Sequence, residues 1–366
     1  MHDRRVSGTV EGLTEPGFES VRDVFADVVE QQAGTGAALA VWYDGQWVLD
    51  LYGGYADAAR TRPWTAESIA SPYSVSKPFA ALPALVLVDR GVLDLDAPLQ
   101  RYWPEFSASA TLRQVLSHQS GIVGIDDPAT TELFFDWNAA CARLAAQEPL
   151  WVPGSAHGEC ALFYGHLVGE PVHRLDGRPL GRFLREEVTD SLGIRFGFGL
   201  ADREQPLAVD LTQFDAFETA QPPDRPELYA RATGNPPGAF DPGVVNSARW
   251  RSAQIPAVNG FGTARGIAQL YVHLLAGRIV SKELVKEIAT PQCHGADRVF
   301  GHEVSWGLGC AVDGDGFGMG GSGGHYGGWS AVGGYALGFV TGTMGTHGRV
   351  EQVEAALRDV IGAPPL

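Results

Sequence analysis

Lysine is nearly missing from this chain. Only Lys77, Lys282 and Lys286 occur among 27 basic residues, the other 24 being arginine. Positive charge is also short overall, since Lys+Arg 27 against Asp+Glu 43 leaves a net −16. A surface of that sign repels phosphate backbones and argues against a nucleic-acid partner. Long hydrophobic runs are absent too. FAALPALVLV (79–88) is the longest and contains Pro83, well short of the roughly 18 residues a membrane helix needs. The first residues, MHDRRVSGTVEGLTEPGFESV, carry no apolar signal-peptide core, so the expected compartment is cytoplasmic. Four cysteines (Cys141, Cys160, Cys293, Cys310) are scattered without CxxC spacing and read as free thiols. His157 and Cys160 stand three apart and Cys293-His294 are adjacent. Neither pair has two further ligands at metal-site spacing, so no metal or other cofactor is expected.

What is present is a folded chain of 366 residues, 45% hydrophobic, long enough for two lobes or one elaborated domain. FESVRDVFADVVEQQ (18–32) places Phe18, Val21, Val24, Phe25 and Val28 on one helical face. AALAVWYDGQWVLDLYGG reads as a hairpin turning at Asp44-Gly45. SVSKPFAALPALVLVDRG is helical to Gly91, with Pro78 tolerated in its first turn and Pro83 kinking it. TLRQVLSHQSG predicts a short helix, and helical pattern returns over 138–147, 161–175, 263–275 and 281–288. The stretch 201–242 is Pro- and Asp-rich and predicts a long loop over a cleft. Strand patterns at 305–312 and 334–341 flank the glycine-dense GFGMGGSGGHYGGWS, and a last helix runs 350–361. Strands at both ends and helices between them predict an α+β fold. Its antiparallel sheet would come from the N- and C-terminal parts, with a mostly helical insertion.

Ser74-Val75-Ser76-Lys77 is the single SxxK in the chain. On a first helical turn that spacing brings hydroxyl and ammonium together. The helix start favours a developing oxyanion, and a close lysine eases deprotonation of the serine. The motif occurs in β-lactamases and penicillin-binding proteins. Four letters alone are weak, because a capping serine beside a solvated lysine has the same spelling. Two rival motifs fail. Gly320-Gly321-Ser322-Gly323-Gly324 fits G-x-S-x-G, but no acid lies between Ser322 and the last histidine, His347. Gly318 to Gly323 fits G-x-G-x-x-G, but a strand pattern follows where a helix is required. Both read as tight turns at a cleft edge.

The run PYSVSKPFAALPALVLVDRGVLDLDAPLQRYWPEF, followed by TLRQVLSHQSGI, closely resembles the serine β-lactamase-like esterases, relatives of class C β-lactamases and DD-peptidases. The segments GAALAVWYDGQWVLDLYGGYADAARTRPWTAES, WVPGSAHGECALFYGHLVGE, DGRPLGRFLREEV and NGFGTARGIAQLY fit the same family, so the resemblance covers essentially the whole chain. It implies a β-lactamase/transpeptidase-like fold forming one domain over 1–366. An α/β lobe would take about 1–70 plus 300–366, and a helical lobe 71–299. It implies Ser74 as nucleophile and Lys77 as its partner. It also implies an oxyanion hole from the backbone N–H groups of Ser74 and of a residue near Ser322.

Two departures from the family stand out. Where the family reads Tyr-x-Asn or Tyr-His-Ala, this chain reads Glu159-Cys160-Ala161. An ionised Glu159 beside Lys77 would keep the lysine charged, making Lys77 an anchor and Glu159 the candidate general base. The ordinary alternative is an ion pair left behind by lost hydrolysis. The family's third motif, Lys-Thr-Gly or His-Thr-Gly, falls at Met319-Gly320-Gly321, with His325 as a possible substitute. Methionine cannot recognise a carboxylate, so the expected substrate is a neutral or apolar acyl compound. Tyr73, Tyr326 and Trp329 are candidate pocket residues, and so are the nearby aromatics Trp42, Trp151, Phe163 and Tyr164. For each aromatic singly, core packing is the plainer reading.

The expected activity is acyl transfer through a Ser74 ester. The acceptor would be water, or an amine or alcohol as in relatives that serve natural-product assembly. The alternatives are a non-acyl biosynthetic reaction, such as a cyclisation or isomerisation, with Glu159 as acid or base, and a ligand-binding homologue without turnover. The expected partner is a small-molecule substrate, and the oligomeric state is left open.

Overall fold

The computed structural model describes residues 10–31, 35–214 and 226–365. The N-terminal part supplies β1 (Glu11–Thr14), β2 (Ala37–Tyr43) and β3 (Gln46–Gly53). β4 (Phe196–Phe198) and β5 (Gly260–Gly262) pair by themselves among the helices. The C-terminal part supplies β6 (Cys293–Ala296), β7 (Glu303–Trp306), β8 (Ala311–Val312), β9 (Gly316–Gly321), β10 (His325–Ser330) and β11 (Tyr335–Thr341). Nine of these strands form one antiparallel sheet in the order β1-β3-β2-β11-β10-β9-β8-β7-β6. The two parts of the chain meet where β2 pairs with β11, Leu39 opposite Phe339. Asp44 and Gly45 both take positive φ, as a two-residue hairpin turn between β2 and β3 requires.

The period of two along the central strands sorts their side chains between two cores. Leu39, Val41, Leu337 and Phe339 pack against α1 (Glu19–Gln31) and the helix Gly348–Ile361. Ala38, Ala40, Ala336 and Val340 face the other way, toward the helix Ala264–Leu275 and the helical body. Small side chains let that helix lie close. A Cβ at Gly338 would collide with the Ala264 carbonyl.

Within the helical body, α2 (Ser76–Asp89) is buried from Ser76 to Leu87 and apolar all round, as a central core helix must be. It continues through Pro83. Expectation and structure part at three places. Ser74 lies in a short 3₁₀ turn, Tyr73–Val75, just before α2 instead of inside its first turn. The glycine-dense segment is a strand pair, β9 and β10, with a tight turn only at 322–324. Part of 201–242 is helical (Pro226–Gly234 and Pro242–Val245), while 215–225 lie outside the described residues. All four cysteines are free. Among the described residues no helix is long and apolar enough to cross a membrane, and no cluster of residues could hold a metal ion.

Candidate active site

Ser74 sits where α2, β9 and the segment around Glu159 converge on a cavity of about 480 Å³. The turn that carries it is conformationally unusual. Tyr73 has φ +47°, a region a bulky aromatic rarely occupies. Its ring is held there by a hydrogen bond from its hydroxyl to the Ala239 carbonyl (2.9 Å) and by parallel stacking on Phe240 at 5.3 Å. Glycine at β9 completes the arrangement. A Cβ at Gly321 would collide with the Pro72 carbonyl, so only glycine lets β9 press against the turn that carries Ser74.

Lys77 lies on the first turn of α2 with its side chain only 1% exposed. Its Nζ donates to Ser74 Oγ at 2.6 Å and stands 2.8 Å from Glu159 Oε1. Among the described residues no hydrogen bond joins Ser74 to Glu159 directly. The chain of contacts runs Ser74–Lys77–Glu159. Glu159 borders the cavity beside Ser74, whereas Lys77 lies behind both. A buried ion pair of this kind is costly to desolvate, and the pair holds because each partner compensates the other.

Glu159 lies in an irregular stretch ahead of the helix Tyr164–Asp176, so its place is set by side contacts. Its N–H donates to Asp297 Oδ2 at 2.9 Å. The flanking Gly158 N–H reaches the His118 carbonyl (3.0 Å), and Cys160 N–H reaches His118 Nδ1 (3.3 Å). Burial pushes the His118 imidazole down to about 3, so the ring is neutral and free to accept at Nδ1. Asp297, 1% exposed, also accepts from the N–H groups of Val299 and Phe300 and from Trp306 Nε1. One buried carboxylate thus ties Glu159 to the wall that Phe300 and Trp306 form. Neither His118 nor Asp297 was singled out from sequence. His118 lay inside the family-like run TLRQVLSHQSGI, and Asp297 lay in no motif.

The remaining candidates divide sharply. Tyr73, Met319 and Ser322 line the cavity. Tyr326, Trp329 and His325 do not. Tyr326 packs with the core on the far side of the sheet. Trp329 packs against the helical core from β10. His325 is fully buried and accepts from Thr341 N–H at Nδ1 (3.3 Å), and burial pushes it down to about 3. It therefore supplies no cation in place of the missing third-motif residue. Trp42, Trp151, Phe163 and Tyr164 are likewise packing residues that leave the cavity to others. The walls come instead from Tyr229, Phe240, Phe300 and Trp306, with His302 and His347 as imidazoles at the border. No lysine or arginine lines this cavity among the described residues.

The arrangement offers a hydroxyl, a buried ammonium–carboxylate pair to exchange its proton, and an uncharged wall. Known proteins resemble this chain at several levels. The Beta-lactamase family model matches residues 21–360. Esterase/beta-lactamase LipL of Mycobacterium tuberculosis is 32% identical over 306 residues, covering 78% of this chain and 70% of that protein. A family VIII carboxylesterase structure superposes with a TM-score of 0.87 at 31% identity, over 96% of this chain and all of that one. A penicillin-binding protein homologue from Caulobacter crescentus gives 0.86 at 31% identity and 96% of this chain. These likenesses run through both strand-bearing ends and the helices between them, and they make the fold β-lactamase/transpeptidase-like. The chain belongs to the beta-lactamase family.

Proposed function

We propose that this protein is a serine hydrolase-type enzyme that transfers an acyl group from a neutral or apolar ester through a Ser74 acyl-enzyme. The observation that carries the reading is the contact chain Ser74 Oγ–Lys77 Nζ–Glu159 Oε1 at the edge of an apolar cavity. Lys77 passes one proton to Glu159 and takes the proton of Ser74 as Oγ attacks the carbonyl carbon. The tetrahedral oxyanion rests on the N–H groups of Ser74 and Ser322. On collapse the carbonyl–leaving-group bond breaks, and the leaving oxygen takes the proton held by the pair. Water, or another hydroxyl or amine, then attacks the Ser74 ester by the same steps in reverse. The esterase names of LipL and of the family VIII carboxylesterase support an ester substrate. Among the described residues no cation lines the cavity, which disfavours carboxylate-bearing substrates such as β-lactams.

The test is incubation with p-nitrophenyl acetate and a fluorophosphonate. Turnover, together with mass added at Ser74 and lost in Ser74→Ala, supports the reading. A folded protein that forms no adduct refutes it.

A second reading is favoured by one observation: Glu159 borders the cavity while Lys77 does not. A carboxylate so placed can exchange a proton with substrate itself, as a non-acyl cyclisation or isomerisation demands. A strong rise in ester hydrolysis in Glu159→Tyr, which restores the family's phenol, would favour this second reading.

A further inference from the structure

Arg349 breaks three rules at once. It lies in the first turn of the helix Gly348–Ile361, where the helix dipole disfavours a cation. It is half-buried, and desolvation pulls its pKa down from the usual guanidinium range. No carboxylate lies within ion-pair distance of it among the described residues. A residue that violates local rules together in this way points to a site that needs it.

Its partners are all neutral oxygens, one on the turn between β9 and β10 and two at or just past the end of β11. Nη2 donates to the Gly323 carbonyl at 2.6 Å and to the Thr343 carbonyl at 2.8 Å, and Nη1 reaches Thr341 Oγ1 at 3.4 Å. The chain keeps space open for the guanidinium. A Cβ at Gly345 would lie 2.9 Å from Nη2, while one at Gly324 would collide first with the Thr346 carbonyl at 2.3 Å and lie 3.0 Å from Nη2. Gly323 and Gly324 both take φ near +90°, so the turn is open to glycine and strained for other residues. Gly324 N–H is held by the Gly321 carbonyl at 3.1 Å. The peptide that closes the turn is therefore fixed from both sides, its carbonyl by Arg349 and its N–H by Gly321. Ser322 stands immediately before that peptide, and Gly321 presses on Pro72, two residues ahead of the nucleophile.

We infer that Arg349 is a positioning residue: it locks the Ser322–Gly324 turn so that an N–H of the turn faces the oxyanion formed at Ser74. The inference rests on the acyl-transfer reading above. Arg349 touches no substrate. It acts through the Gly323 carbonyl, and its half-buried charge adds a positive field behind the hole. Burial shifts the neighbouring His325 and His347 down, and the Arg349 charge adds to that shift.

The test compares wild type, Arg349→Lys and Arg349→Ala with p-nitrophenyl acetate and with a fluorophosphonate, whose phosphonyl oxygen occupies the same hole. Displacing a hydrogen-bond donor at the oxyanion costs about 10²-fold or more. Arg349→Ala is therefore expected to lose about 10²-fold in kcat and in labelling rate, with KM changed by less than about threefold. Added guanidinium should restore part of the loss. Arg349→Lys, which cannot span three acceptors, should lose about tenfold and decides the matter if the alanine variant does not fold. Folded variants with kcat and labelling within about twofold of wild type overturn the inference, even if their melting temperatures fall. A wild-type protein that forms no Ser74 adduct refutes the acyl-transfer reading, and the inference falls with it. That result is distinct from equal labelling of wild type and variants, which refutes the inference alone.

Discussion

Lys77 Nζ is shared between two oxygens, Ser74 Oγ at 2.6 Å and Glu159 Oε1 at 2.8 Å, with its own side chain almost wholly out of solvent. Under the proposed acyl-transfer mechanism the carboxylate works on the serine through the lysine. Glu159→Gln keeps the shape and removes the proton acceptor. The expected loss in kcat for p-nitrophenyl acetate is about 10²- to 10⁴-fold, the range for a positioned acid–base group, with KM little changed. Steady-state kinetics check it. An unchanged kcat would show that Lys77 manages the proton without its carboxylate.

The same pair makes a stability prediction. Removing one partner of a buried ion pair leaves an uncompensated charge and costs about 3–5 kcal/mol, whereas removing both costs far less. Lys77→Met should therefore unfold at markedly lower denaturant than wild type. Lys77→Met/Glu159→Leu should recover most of the difference. A double-mutant cycle from denaturant midpoints measures the coupling, and additivity of the two single effects would contradict the pairing.

Met319 lines the cavity and is 5% exposed. Met319→Lys should turn the cavity toward anionic substrates. A new charge-assisted contact is worth about 1.5–3 kcal/mol, so the ratio of kcat/KM for p-nitrophenyl hemisuccinate over p-nitrophenyl acetate should rise about tenfold or more. An unchanged ratio would mean that position 319 does not face the acyl group.

Much of this was legible in the residues themselves. The β2–β3 hairpin announced itself through Asp44-Gly45, and α2 through its unbroken apolar run. The contact of Ser74 with Lys77 follows from a three-residue spacing that survives even though the serine sits in a 3₁₀ turn. Other features were not legible, for physical reasons. β9 and β10 are rich in glycine, which carries no strand signal. Those positions are glycine because Pro72, Ile267 and neighbouring backbone crowd them, a property of the assembled sheet. Asp297 reaches Glu159 across 138 residues, and no local pattern records such a contact. His347 and Arg349 come to the site on the last helix, after the glycines, where His325 offered itself as the nearer imidazole. Its burial became visible only once β10 was paired on both edges.

Asp297 accordingly carries a prediction of its own. Its carboxylate accepts from Glu159, Val299 and Phe300 N–H groups and from Trp306 Nε1. Asp297→Asn keeps the outline but turns an NH₂ toward one pair of those donors, those now bonded to Oδ1 or those bonded to Oδ2. Loss of hydrogen bonds to a buried charged acceptor costs about 1.5–3 kcal/mol each. The variant should lose roughly that much stability, and kcat should fall because Glu159 shifts relative to Lys77. Asp297→Glu tests the geometry separately. If either variant keeps full kcat, Asp297 is a structural tie without influence on the proton pathway.

Three histidines set the response to acid. His118, His166 and His325 are fully buried, and in each case burial pushes the imidazole down to about 3. In the unfolded chain they return to about 6.5. Below that pH the unfolded chain binds protons that the fold refuses, so their contribution is complete above about 6.5 and is lost as pH falls toward 3. Between pH 7.5 and 5.5 each costs about 1.4 kcal/mol, or about 4 kcal/mol together. Burial shifts His273 and His347 in the same sense, while Glu354, raised mainly by burial, opposes them. His166 isolates the effect. Both of its ring nitrogens lack partners, and it stacks on Trp137 with ring centres 4.5 Å apart. His166→Phe keeps the stacking and removes the proton site. Urea unfolding at pH 7.5 and 5.5 should show the variant gaining about 1.4 kcal/mol on wild type at the lower pH. An equal fall in both proteins would mean that the unfolded chain takes up no proton at this position that the fold refuses.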